Sequence, residues 1–112
     1  MKKSRAILEM GMGNDLHGSD YTKAASRAVQ DALHHSSLNF IKSLGIDRSR
    51  LHLNVTIGVQ KPEKVDTEAV KTALPLGIVS IVVVKGGLDI PDESDKDPAV
   101  IANAAIDVLV KI

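Results

Sequence analysis

Three observations predict an α/β fold of the α+β kind: a two-layer sandwich in which a mixed four-stranded sheet carries two helices on one face. Residues 51–59 alternate apolar and polar without a break, residues 78–84 are almost wholly apolar and β-branched, and small apolar residues recur at three- and four-residue spacing from Ala25 to Leu33. The first is the period of a half-buried strand. The second is expected of a strand covered on both faces, and the third of a helix lying close against a sheet. The length of 112 residues fits one domain with a real core.

The elements follow in order. From Arg5 to Met12 the side chains alternate, Ala6, Leu8, Met10 and Met12 against Ile7, Glu9 and Gly11, which predicts the first strand. Ser19 or Asp20 then supplies an oxygen for the free N–H groups of a helix beginning near Tyr21, with Ala25, Ala28, Val29, Ala32 and Leu33 as its stripe. His34-His35-Ser36-Ser37 interrupts that stripe, and Leu38, Phe40, Ile41 and Leu44 resume it before Gly45, a C-terminal cap. Leu51 to Val59 is the second strand. Asp66 caps a short helix carrying Val70, Ala73 and Leu74, ended by Pro75 and Gly77.

The apolar run Ile78 to Val84 is placed in the sheet interior. Gly86-Gly87 and the acidic stretch Asp89 to Asp97 read as a long loop, a candidate lid. In the last segment Ala99 to Ala105 is ambiguous, whereas Ile106 to Ile112 alternates and is read as the fourth strand. The order is βαβαββ. Both helices need the same sheet face, so the other is left carrying Glu9, His52, Asn54 and Thr56 beside aliphatic side chains. A face that mixed is better covered by another subunit than by water, so a homo-oligomer, a trimer or higher, is expected.

Composition excludes several classes of function. Fourteen basic residues balance fourteen acidic ones, and there is one Tyr, one Phe and no Trp. No net field and no stacking platform favour nucleic acid. With no Cys, a disulfide framework and a thiolate metal site are both ruled out. The apolar run behind Met1-Lys2-Lys3-Ser4-Arg5 is too short for a signal core or a membrane span, so the cytoplasm is the expected compartment.

The chemistry concentrates in Gly11 to Asp20, where three glycines, two acids and a histidine fall within ten residues. Gly11, Gly13 and Gly18 allow close backbone approach, and with Asn14 and Ser19 they form a candidate cradle for a small-molecule ligand ahead of a helix N-terminus. Asp15 and His17, one residue apart, would lie on one side of an extended backbone, Asp15 orienting His17 as general base or acid. The plain alternative is a tight strand-to-helix turn with local cap bonds.

Known motifs fail here. Gly13 and Gly18 have P-loop spacing, but Ser19-Asp20 stands where Lys-Ser/Thr is required. A dinucleotide fingerprint would need glycine at Leu16. Asp15, His17 and Asp20, with Glu9 or His52, keep a metal-dependent hydrolase as an alternative, but a short loop rarely supplies three ligands and no metal site is assigned. No cofactor is identified. His34 and His35 diverge on a helix and are poor joint ligands. Lys61 and Lys85 stand at strand ends, where a lysine is usually solvated but can bind an anion.

The element order resembles the fold of Bacillus-type chorismate mutase, RidA-like enamine deaminases and cyanuric acid hydrolase domains. That resemblance implies sheets packed about a threefold or pseudo-threefold axis, with ligands between neighbouring domains. Gly11, Gly13, Asp15, His17 and Gly18 also match an uncharacterised family whose signature is G-x-G-x-D-x-H-G. Pro62 to Asp66, Ala73 to Gly77 and Ile101 to Ala105 resemble the same family, which implies a site and no particular reaction. The sequence thus leaves two main readings: a small-molecule enzyme or ligand-binding protein using Asp15 and His17, or a non-catalytic ligand-binding and assembly module.

Overall fold

The computed structural model describes residues 3–34, 43–74 and 77–111. Among these residues five strands and two helices follow one another as β1 (Lys3–Asp15), α1 (Tyr21–Leu33), β2 (Leu51–Val59), α2 (Thr67–Lys71), β3 (Ile78–Lys85), β4 (Leu88–Ile90) and β5 (Ala99–Lys111). Short 3-10 turns precede β2 and α2, at Arg48–Arg50 and Pro62–Lys64. The strands form one mixed sheet in the order β1-β5-β2-β3, with β4 also paired to β5. Only β2 and β3 run parallel. The result is the expected α+β two-layer arrangement, with a fifth strand.

The ambiguous segment from Ala99 to Ala105 is strand, continuous with the alternating run that follows. β5 is therefore the central strand, pairing β1 along one side and β2 along the other. β2 stops opposite Asn103, and β4 takes up the vacated lane from Ile101 onwards. Gly86 and Gly87 move the chain across one lane to make this possible. Gly87 has φ +60, and a Cβ there would stand 2.0 Å from the Ile101 carbonyl oxygen. Sequence reasoning gave β4 to a loop because three residues between a Gly-Gly pair and a proline carry no periodicity.

Gly11 and Gly13 belong to β1, and their role in the fold is close packing. A Cβ on Gly11 would stand 2.5 Å from the Ala32 nitrogen, and one on Gly13 would stand 2.3 Å from the Ala28 nitrogen. The helix answers with Ala24, Ala25, Ala28 and Ala32, all fully buried. Strand and helix backbones meet where neither presents bulk. Leu53, Val55, Ile57, Val100, Ile106 and Val108 fill the remaining core, closed at one side by Val70 of α2.

Two placements differ from the sequence reading. The run Ile78 to Lys85 is an edge strand, and its alternate residues Ile78, Val82 and Val84 are 52%, 57% and 43% exposed. A β-branched run records that both faces favour apolar contact, not that this chain supplies both covers. The parity of β1 is also reversed. Glu9 shares the helix side with Gly11 and Gly13, while Leu8, Met10 and Met12 point to the open face at 43%, 65% and 57% exposure. His52, Asn54 and Thr56 lie on that open face as expected. The interrupted stripe's Leu38, Phe40 and Ile41, with His35 and Pro75, fall outside the described residues.

Candidate functional site

The strand-to-helix turn begins where β1 ends, at Asp15. This carboxylate is 4% exposed, and one oxygen accepts from the Asp20 N–H at 3.0 Å. Its other oxygen is 3.9 Å from both the Lys23 ammonium and the Arg27 guanidinium. Gly18 (φ +99) and Ser19 (φ +49) take left-handed backbone to bring Asp20 round. Asp20 then caps α1 by accepting from the Lys23 N–H at 3.0 Å. Asp15 thus closes the turn on itself.

His17 is not brought to Asp15. Once β1 ends, the turn leaves Asp15 buried and His17 at the surface, and no hydrogen bond or ion pair joins the two. The imidazole is 89% exposed, with Nδ1 3.2 Å from an Asp97 oxygen. The second Asp97 oxygen accepts from the Gly18 N–H at 2.8 Å. Asp97 therefore holds both His17 and the turn, and sequence spacing gave no sign of it, since Asp97 stands in an acidic stretch read as solvated loop. Asn14 lies near the end of β1, its carbonyl accepting from the Arg27 guanidinium at 2.7 Å.

The stretch ending at Asp97 is fixed at its beginning as well. The buried Tyr21 phenol donates to an Asp89 oxygen at 2.5 Å. Burial first, then the neighbouring Asp89 carboxylate, pushes the phenol up to about 12, so it remains a donor at all ordinary pH values. The other Asp89 oxygen is buried and has no hydrogen-bond partner. The expected lid is thereby tied to the first turn of α1 and to the Gly18 turn.

A second site lies on the open face of the sheet. Cross-strand rows bring Met12, Asn103, Gly58 and Val84 side by side, and next to them Met10, Ala105, Thr56 and Val82. Of these, Met10, Thr56, Gly58, Val84, Asn103 and Ala105, with Lys85 and Gly86, line a concavity of about 310 Å³. Gly58 is required there because the Asn103 amide lies over it: a Cβ at 58 would meet the amide oxygen at 2.2 Å. Gly11 lines the same concavity. Gly11 is thus the one member of the predicted cradle that touches this site.

Charge on the open face is sparse. Asp107 is held by a two-pronged contact from Arg5, at 2.8 and 2.9 Å, and this partner keeps its carboxyl below the usual carboxylate range. His52 is half-buried with an unpartnered Nε2. Desolvation, with Lys3 and Lys111 nearby, lowers its pKa. Among the described residues no group of three or more His, Asp or Glu side chains is placed to hold a metal ion, and no helix is long and apolar enough to cross a membrane.

Fold and site together define a small α+β sheet protein with one sealed and one open sheet face. Residues 5–108 match the family described as Conserved hypothetical protein (Lin0512_fam), and the chain belongs to that family. It is also similar to the crystal structure of an FtsZ-like protein of unknown function from Nostoc punctiforme PCC 73102. The two share 36% sequence identity and a TM-score of 0.84 over 100% of this chain and 99% of that one. No curated protein matches the chain.

Proposed function

We propose that the protein is a self-associating module that binds a small molecule, with copies meeting over the open sheet face and the ligand seated in its concavity. The observation that carries this is the face itself: Leu8, Met10, Met12, Ile78, Val82 and Val84 are all more than two-fifths exposed. Strand spacing and residue rise give the face about 600 Å² in projection, of the order that each partner contributes to a stable interface. Its central rows hold a single charged side chain, Asp107, already paired with Arg5. A neutral face fits a second copy of itself better than an acidic or basic partner.

Sedimentation velocity at micromolar concentration tests the reading. The wild-type chain is expected to sediment as an oligomer, and Met10→Glu or Val82→Lys as a folded monomer. A wild type still monomeric at about a hundred times that concentration, roughly 0.1 mM, removes self-association from the proposal.

A second reading places acid–base chemistry at His17, supported by the Nδ1 contact to Asp97. In it Asp97 takes the orienting role that sequence spacing gave to Asp15, and Nε2 is the atom left for a proton to or from a bound molecule. The Gly18 N–H is occupied by Asp97, so this amide supplies no oxyanion donor while that contact holds. If His17→Gln leaves assembly and ligand binding intact while any turnover disappears, the chemical reading holds. Loss of assembly assigns His17 to the architecture instead.

A further inference from the structure

The geometry points to a second interface, apart from the open face: the free edge of β3 pairs antiparallel with the same edge of a second copy, about a two-fold axis at Ile81. The sheet has two outer strands, β1 and β3, and the chain treats them differently. An outer strand offers unpaired N–H and C=O groups to any extended chain, and folded proteins ordinarily obstruct it. On β1 the obstruction is visible. The Met12 N–H donates to an Asp31 carboxylate oxygen at 2.9 Å, the Asn14 carbonyl accepts from the Arg27 guanidinium at 2.7 Å, and the register shifts between Arg5 and Ile7. Two side chains of α1 thus occupy the edge along which another strand would have to lie.

None of these devices protects β3. Its eight residues keep unbroken register with β2, include no proline, and carry one charge, Lys85, at the very end. Among the described residues its backbone makes hydrogen bonds only to β2. Ile78, Val82 and Val84 are exposed on the open side, while Val79, Ile81 and Val83 lie half-buried on the helix side. A strand that is apolar on both sides and unguarded along its edge is built to be continued.

Parity selects the register. Facing residues of an antiparallel pair project to the same side of a sheet, so a two-fold axis between like edges must pass through a residue and not between two. With the axis at Ile81, Ile78 of one copy faces Val84 of the other, Val79 faces Val83, Ser80 faces Val82, and Ile81 faces itself. Residues 78–84 then pair without a charge among them, and Lys85 falls just outside. An axis at Ser80 shortens the overlap, and one at Val82 sets Lys85 against Val79. The neutral strand matches itself better than an acidic or basic segment.

This pairing supplies about six to eight ladder hydrogen bonds, with far less area than a stable interface needs. Alone it is transient, so Met10→Glu still sediments as a monomer. Its axis stands across the sheet, which leaves both open faces looking the same way and free for the contact proposed above. Neither interface needs the other.

The chain has no cysteine, so single cysteines read the register by trapping the contact. Facing Cα atoms about 5 Å apart lie within disulfide reach. With oxidised glutathione as oxidant, Ile81→Cys is expected to form a linked dimer at least about tenfold faster than Glu68→Cys on α2, as non-reducing electrophoresis would show. Val79→Cys and Val83→Cys each stand roughly 13 Å along the strand from their own counterparts. Neither should link alone, and an equimolar mixture of the two should link, which repeats the test if Ile81→Cys does not fold. Equal rates for Ile81→Cys and Glu68→Cys, with no link in the mixture, overturn the edge pairing, whether the edge stays bare or takes a foreign strand. Sedimentation of the wild type then still decides the open face. Linking of Val79→Cys alone overturns the register about Ile81.

Discussion

The two faces of the sheet are made by the same strands in alternate residues, yet they obey different rules. On the helix side, Gly11 and Gly13 let α1 approach until a single added carbon would overlap backbone atoms. On the open side, Met10 and Met12, their immediate neighbours, stand 65% and 57% exposed. One face is specified to fractions of an ångström, whereas the other is specified only in its polarity. The difference teaches where the glycines of the N-terminal motif do their work. Two of them serve the fold, and only Gly18, at φ +99, serves the turn that presents His17.

The largest test of this contrast is a pair of substitutions one residue apart. Gly13→Val drives three carbons into the α1 backbone, which cannot yield without moving the helix, so a loss of about 3 kcal/mol or more is expected. Met12→Ala, on the opposite face, should change the stability of the monomer by less than about 0.5 kcal/mol. Urea unfolding measures both. Similar losses at the two positions would mean that the open face is packed as tightly as the sealed one, which only a tightly bound partner could bring about.

Next in size is the turn. Asp15→Ala removes the buried acceptor of the Asp20 N–H and leaves Lys23 and Arg27 without their shared carboxylate. A cost of about 2 kcal/mol is expected. His17→Ala, at an exposed side chain, should cost well under about 1 kcal/mol. Guanidinium unfolding of the two variants separates a residue that builds the turn from one that the turn displays. Comparable losses would assign both to the architecture and weaken the chemical reading of His17.

How much of this was legible in the sequence follows the same division. The 51–59 strand and the alanine-rich helix could be read because their side chains obey a single period set by one face. The edge position of residues 78–85 could not, because an apolar run does not say whose surface covers it. In the motif, the types Gly, Asp and His announced a special turn. Their partners did not follow from spacing, since Asp97 and Asp89 reach the turn only through the pairing of β4 with β5. Asn103 over Gly58 was equally invisible, because the two residues lie 45 positions apart and meet through strand register.

Tyr21 offers a smaller test, where the helix side borders β4. Tyr21→Phe takes the hydrogen bond from an Asp89 carboxylate whose other oxygen is already buried without a partner. A loss of about 1–2 kcal/mol is expected. The phenol's folded value of about 12 lies above its unfolded value near 10. Its contribution is therefore complete below about pH 10 and disappears as pH rises through the folded value. The chain has one tyrosine, so ultraviolet titration reads this group alone. A midpoint near 10 in the folded protein would mean that the phenol is neither buried nor held by Asp89.

The smallest effect is expected on the open face, at His52. Desolvation lowers its pKa in the folded chain, so below the unfolded value near 6.5 the unfolded chain takes up a proton that the folded one resists. Stability should fall as pH drops through that window, and His52→Gln should remove this part of the slope. In an isolated chain the slope does not depend on protein concentration. If a second copy covers the open face, His52 is desolvated further, and both the slope and the melting temperature rise with concentration. Thermal melts at two pH values and two protein concentrations decide between these cases. A slope unchanged by His52→Gln would show that the acid sensitivity comes from other groups.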